Sequence, residues 1–544
     1  MGASLKVAAR RGVFKSWLPT SHKLALGLIV ASCAVFVVVG AAGPSAVALN
    51  LGPRYSFLPP WYLPFKDANW NEWAVTAIMW GALVLGAVGL WIGWRALKAG
   101  WRPRPWRLFG LGAGLSTVVG LVLPLTSADV MMYAAYGRLQ VIGQNPYTVP
   151  PAQIFRQEFD AVLVWTERPW QDTPSVYGPL ASAVQWLSAT LGGANMHDIV
   201  FWLQMFTLVP FLAIGIMVMV MMRGDEAAQA RAALLTVCNP IMICAVVAGA
   251  HNEALAMVFA VAGLYFMRKN PWLAGLGIGL AGTVKVSLIF VGVAMLWGYR
   301  HDRRKLVRLV VGAVVPLAVA YAWLAPQSIL AAQRNTDYVS AGSWAEPIYT
   351  WLEYSVGVDV GHWVTFAGGW IGMAIVGWML SRVLPRDGVP GVGSVADSAG
   401  STGVDPATDP LTQAARAAVV LVGAWLVASP YTWVWYDYLV WVPLALLAVS
   451  RIHGILLWRG LWLSVAYVTG RIYNYGADLA ATSAVLRDEV CTVAQYITLA
   501  LIVGWWWRRG HELPPPVVRA WRRLRGPVLD ESAGSGTAKP LTIQ

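Results

Sequence analysis

Apolar runs close to the length of a bilayer crossing recur from residue 24 to residue 507, separated by short polar stretches. A crossing helix needs about 20 such residues. In hydrocarbon only a helix or a closed barrel satisfies every backbone polar group, and runs this long and continuous are helical rather than alternating. The chain is 57% hydrophobic and 12% charged, with a mean hydropathy of +0.56. A set of water-soluble cores is therefore excluded. The 31 tryptophans and 19 tyrosines, many at run ends, read as interfacial anchors.

The net charge of +13 has a membrane explanation. Basic residues cluster between runs, at Arg10–Arg11, Arg102–Arg107, Arg300–Arg308 and Arg519–Arg525, as the positive-inside bias requires. No basic groove accompanies them, so no nucleic-acid partner is expected. Placing 1–23 in the cytoplasm puts every strong basic cluster on one side and gives about 14 crossings or partial crossings. Residues 254–283 form runs too short for an ordinary crossing, read as tilted or broken helices. The loops 42–71, 126–195 and 325–362 then face outward. The Gly/Pro/Ser/Asp-rich stretch 385–411 is a cytoplasmic linker and 508–544 a polar cytoplasmic tail. Cys33, Cys238, Cys244 and Cys491 form no CxxC pair and read as inert thiols.

The chemistry-bearing residues gather on the outward side. TSADVMMYAAYGR, residues 126–138, follows the third run. Asp129 there is either a helix cap or a functional carboxylate, because an acid at membrane depth is costly and usually faces a cavity. Tyr133 shares its helix face, whereas Arg138 points to the opposite side. Asn145-Pro146-Tyr147 is a turn. Asp172 and Tyr177-Gly178-Pro179 lead into the next helix, with Trp165 and Trp170 before them. Aromatic rings interleaved with carboxylates suit a sugar: rings stack on its apolar faces and acids hold its hydroxyls. The same mixture also fits an interfacial belt.

Asp129–Arg138, Gly143–Tyr147, Tyr177–Leu180, His251-Asn252-Glu253-Ala254-Leu255 and Lys285 together resemble the actinobacterial polyprenyl-phosphate-mannose-dependent alpha-(1->6)-mannosyltransferases. The resemblance implies an all-α, polytopic GT-C fold with 24–507 as the transmembrane catalytic domain and the active site on the extracytoplasmic side of the cell membrane. It implies Asp129 as the catalytic residue, with Glu158, Asp160 or Asp172 as candidates to share the role. His251 and Asn252 are candidates to hold sugar hydroxyls or phosphate, and Glu253 to complete an acid pair with Asp129. Lys285, alone at the outward end of two short runs, breaks the positive-inside pattern. It is either a snorkelling lysine or the anchor of a donor phosphate, with Arg471 and Arg334 as assistants. A carboxylate cluster beside a phosphate leaves a divalent cation as an open option. No HExxH or phosphate-loop pattern is present.

The implied reaction moves mannose from polyprenyl-phosphate-mannose to a mannan or lipid-anchored mannoside acceptor, with inversion. Two other readings remain open at this point. One is an arabinosyltransferase using polyprenyl-phosphate-arabinofuranose. The other is a transporter or lipid-linked-sugar flippase, for which matched internal repeats would be expected. The topology is open to a direct check. In intact cells, an impermeant thiol reagent should label a cysteine placed in 150–170 and spare one placed in 393–405. The reverse pattern contradicts the assignment.

Overall fold

A computed structural model of the chain is all-α and describes residues 21–42, 51–52, 54, 56–63, 70–126, 128–166, 170–329, 338–386, 388–389, 407–468 and 476–510. Arg334 and Arg471 lie outside these residues. The protein is a polytopic membrane protein. Among the described residues eight helices are long and apolar enough to cross a bilayer: His22–Ala42, Glu72–Lys98, Met196–Met221, Glu226–Val247, Arg303–Leu324, Val358–Val383, Pro410–Ala428 and Ala477–Arg509. Three shorter apolar helices, Glu253–Phe266, Pro271–Val284 and Val286–Gly298, lie among them. The expectation of about 14 crossings or partial crossings is therefore corrected, among the described residues, to eight helices of spanning length and three shorter apolar ones. The runs at 254–283 form short helices rather than full-length spans.

Helix ends follow local chemistry. Asn71 opens Glu72–Lys98 by accepting from the Ala74 amide, and Arg95 and Lys98 close it; such residues satisfy orphan end groups and complement the helix dipole. Asp225, Asp302 and Asp409 cap Glu226–Leu235, Arg303–Ala318 and Pro410–Ala428 in the same way. Asn270 caps Pro271–Val284, whose first residue is proline, a position where the missing N–H costs nothing.

The bundle has two chemically distinct ends. At one, Arg268 pairs with Asp409 at 2.7 Å and donates to the Val389 carbonyl. Nearby, Arg416 donates to the Ser381 and Pro385 carbonyls, and Arg509 to the Val383 carbonyl at 2.6 Å. These arginines bind the described edges of the 385–411 stretch to the helix ends around it. The other end carries Asp129, His251, Lys285 and an aromatic segment, 429–436. All four cysteines are buried free thiols.

One buried arginine organises the aromatic segment. Arg459, inside Arg451–Val468, is fully buried. It donates to Asp437, to the Leu426 carbonyl and to the Thr432 hydroxyl. It therefore grips the segment before, within and after its run of rings. Removing one partner of a buried ion pair leaves an uncompensated charge, which costs roughly 3–5 kcal/mol. Arg459→Ala should lose that much stability in detergent. Arg459→Met combined with Asp437→Leu should lose clearly less, because no charge is stranded. Thermal unfolding in which the alanine variant melts with the wild type would refute this account of the segment.

Candidate active site

Asp129 is placed by the chain that precedes it. The Leu125 amide donates to the Ala248 carbonyl at 2.7 Å, and the Thr126 hydroxyl to the Cys244 carbonyl at 3.1 Å. Residues 125–126 are thus fastened to the π-helical turn Ile243–Val247, a feature often found at functional sites. Asp129 is the first residue of the helix Asp129–Val141. Ala128 occupies the cap position, so Asp129 stands one residue inside it, in the first turn, where the helix dipole favours a carboxylate.

The π-helical turn is followed by a strained corner. Ala250 adopts φ 52°, a left-handed conformation uncommon for residues other than glycine. A Cβ on Gly249 would lie 2.4 Å from the His251 ring, so only glycine fits. The corner aims His251 at Asp129. Its Nδ1 stands 3.7 Å from Asp129 Oδ2 and 3.4 Å from the Tyr133 hydroxyl. Its ring stacks on Trp435, with centroids 4.0 Å apart and planes at 16°.

Two residues on, Glu253 begins the helix Glu253–Phe266 and is fully buried. Its carboxylate accepts from Lys285. Glu253, expected to complete an acid pair with Asp129, is ion-paired with the lysine. Lys285 ends Pro271–Val284 in an extended conformation. That break turns its side chain toward Glu253 and over the Tyr436 ring, 4.1 Å from the centroid. Gly178 packs against the same break. Its amide donates to the Val284 carbonyl at 3.2 Å, and a Cβ there would meet the Thr283 carbonyl at 2.2 Å. This close approach carries Tyr177 into the site, where its ring meets that of Tyr133 edge-on at 5.0 Å.

These residues surround a cavity of about 380 Å³, within the usual range for ligand sites. Asp129, Tyr133, Tyr177 and Lys285 line it, and Glu253 stands behind Lys285, outside the lining. Much of the remaining wall is apolar, including Phe290, Met373 and Trp425. Val286, Ile289, Phe366 and Trp370 line it while being half exposed on the outside of the bundle. A second cavity of about 90 Å³ shares Asp129, Tyr177, Tyr431 and Trp435 with the first. Asp129 therefore stands between two spaces.

Other candidates lie elsewhere. Arg138 pairs with Asp160 at 2.8 Å, whose other oxygen accepts from the Val162 and Leu163 amides; together they fold the 155–165 loop. Asp172 forms a half-exposed surface pair with Arg156. Asn145 caps its own turn by accepting from the Tyr147 amide, and Tyr147 is buried away from the cavity lining. Asn252 adjoins the site but does not line the cavity. Among the described residues no three His, Cys, Asp or Glu side chains gather as metal ligands would. Near Asp129 the donor set is one carboxylate and one imidazole, since Glu253 is engaged by Lys285. That set does not make the oxygen-rich cradle a Mg²⁺ or Ca²⁺ ion takes.

Sequence reasoning missed the segment SPYTWVWY at 429–436. It supplies Tyr431, Trp435 and Tyr436 to the larger cavity and Trp433 to the smaller. The signal was present: the ionisable residue after it, Asp437, sits at membrane depth next to a density of rings beyond an interfacial belt.

Residues 25–301 match the family model described as "Alpha-(1->6)-mannopyranosyltransferase, N-terminal domain". Three curated relatives illustrate the likeness. The chain is 32% identical to a probable alpha-(1->6)-mannopyranosyltransferase of Mycolicibacterium smegmatis over 150 residues, 27% of this chain and 26% of that protein. It is 23% identical to alpha-(1->6)-mannopyranosyltransferase B of Corynebacterium glutamicum over 282 residues, 48% of this chain and 45% of that protein. It is 24% identical to alpha-(1->6)-mannopyranosyltransferase A of Mycobacterium tuberculosis over 300 residues, 51% of this chain and 56% of that protein. The chain thus spans about a quarter to just over half the length of these relatives. No solved structure matches it. The matched region holds Asp129, Tyr133, Tyr177, His251, Glu253 and Lys285, and it covers just over half of the chain: the protein belongs to the actinobacterial alpha-(1->6)-mannopyranosyltransferase family.

Proposed function

We propose that this protein is a GT-C-type glycosyltransferase that moves mannose from a polyprenyl-phosphate-linked donor to a mannan or glycolipid mannoside, forming an alpha-(1->6) linkage on the extracytoplasmic side of the membrane. One observation carries the reading: Asp129 and Lys285 line the same, mostly apolar cavity. A carboxylate and an ammonium facing one space are what transfer from a lipid phosphate needs. A nucleotide sugar would call for more cationic and polar lining than this cavity offers.

In this reading the donor's phosphate lies against Lys285. The ammonium has three N–H donors; Glu253 takes one, leaving others for phosphate oxygens. Glu253 fixes the lysine from behind, and Tyr436 supports it from one face. The lipid chain leaves between Val286 and Ile289 on one side and Phe366 and Trp370 on the other, apolar lining residues that are about half exposed. The sugar then lies toward Asp129. An acceptor hydroxyl attacks the anomeric carbon through an oxocarbenium-like transition state. The new C–O bond forms as the bond to the phosphate oxygen breaks, the hydroxyl proton passes to Asp129, and the departing phosphate keeps the electron pair beside Lys285. A single displacement turns a β-linked donor into an α product. His251, with its Nδ1 3.7 Å from Asp129 Oδ2, orients the carboxylate.

Asp129→Asn should lower mannosyl transfer by about 10²–10⁴-fold, the usual worth of a positioned proton acceptor, while donor binding stays close to wild type. Turnover at the wild-type rate in the purified variant would remove Asp129 from the chemistry.

Lys285→Ala alone strands the buried Glu253 charge and threatens the fold. The informative variant is therefore Lys285→Met with Glu253→Gln, in which no charge is left unpaired. It should fold and bind both mannosyl-phospholipid and free polyprenyl phosphate much more weakly. Lys285→Arg should rescue only partly, because a planar fork does not reproduce a compact ammonium. Unchanged affinity for the lipid phosphate in the double variant would place the phosphate elsewhere.

A further inference from the structure

The second cavity has a different chemistry from the first. Both share Asp129, but Trp170, Trp433 and Tyr467 line only the smaller one. Its volume is about 90 Å³, the smaller of the two. Among its described lining residues Asp129 is the only ionisable acid or base besides tyrosine phenols; no Lys, Arg, His or Glu is present. A phosphate or other anion therefore finds no counter-charge there. Flat apolar faces abound instead. Trp433 and Trp435 stack with centroids 5.5 Å apart and planes at 8°, and Tyr467 braces Trp433 edge-on at 5.2 Å. Trp170, also in the lining, meets Tyr338 edge-on at 5.3 Å.

A wall of flat rings with phenol hydroxyls at its edges, no cation, and one carboxylate at its inner end suits a neutral saccharide. The apolar face of a pyranose ring buries against an aromatic face, and its hydroxyls bond to phenols and a carboxylate. We infer that this aromatic pocket is the acceptor subsite, holding a neutral mannoside by stacking on Trp433 and Trp170 with its reacting hydroxyl turned toward Asp129. The inference rests on the transferase reading given above. It divides the site across Asp129, with the donor on the Lys285 side and the acceptor on the tryptophan side. Trp433 and Tyr467 come from the C-terminal part of the chain, beyond the matched residues 25–301. Trp170 comes from a short 3₁₀ turn, Trp170–Asp172, in the long segment 126–195, which gives that segment a binding role.

The test uses the full chain in lipid nanodiscs and a neutral probe, alpha-(1->6)-linked mannobiose. Two readouts are needed: donor-free titration of the probe, and transfer kinetics with both substrates varied. Trp170→Ala and Tyr467→Ala should each weaken probe binding and raise acceptor KM about tenfold or more. Affinity for polyprenyl phosphate should stay unchanged, since neither residue touches the larger cavity. Trp433→Phe should retain most acceptor affinity and Trp433→Ala little of it, which separates stacking from mere packing. If mannose is not transferred but the probe still binds and is lost in the Trp170 and Tyr467 variants, the donor reading falls and the saccharide site stands. Probe affinity and acceptor KM at wild-type values in these folded variants, or no probe binding by the wild type at millimolar concentrations, overturns the subsite.

Discussion

A carboxylate buried in an apolar bundle must be paired, and Glu253 meets that demand with Lys285. The pairing explains several features at once. It holds the break between Pro271–Val284 and the helix after it, because an extended lysine must leave the helix to reach the acid. It gives the first turn of Glu253–Phe266 its negative charge, where the helix dipole favours one. It also leaves Lys285 at the cavity wall with donors to spare. A lysine without Glu253 behind it would be free to snorkel to the headgroups. Fixed in this way, it is a standing positive charge in a mostly apolar space.

The second fixed charge, Asp129, is held by different means. Backbone bonds fasten residues 125–126 to the π-helical turn, and the strained Ala250 corner presents His251 to it. The aromatic segment closes the site from the far side of the sequence, gripped by Arg459. Electrostatics, backbone strain and ring packing thus converge from four separate parts of the chain on one carboxylate standing between two cavities.

Much of this was legible in the sequence, and the failures have physical reasons. All-α membrane character followed from run length alone. Asp129, Tyr133 and Tyr177 could be singled out because an acid followed by a tyrosine on its own helix face is unusual at membrane depth. Lys285 stood out as a basic residue on the wrong side. Arg138 and Asp172 looked equivalent to these, yet each has a nearby opposite charge, Asp160 and Arg156, and sequence does not show which charges find each other. The Glu253–Lys285 pair was not foreseen, because a break in a helix, not spacing, decides where a lysine points. The crossing number was overstated because hydropathy does not distinguish a short apolar helix from a full span. Trp433 and its neighbours passed as interfacial anchors, since composition cannot tell a ring facing lipid from one facing a cavity.

Asp129 between donor and acceptor spaces is the claim on which the rest turns. A structure of the protein with a non-hydrolysable mannosyl phosphonate on a polyprenyl chain tests it most directly. The account expects the phosphonate oxygens against Lys285 and the isoprenoid chain leaving past Ile289 and Trp370. The anomeric carbon should face Asp129, with its far side open to the tryptophan pocket. A phosphonate bound away from Lys285, or an anomeric carbon turned from Asp129, contradicts it.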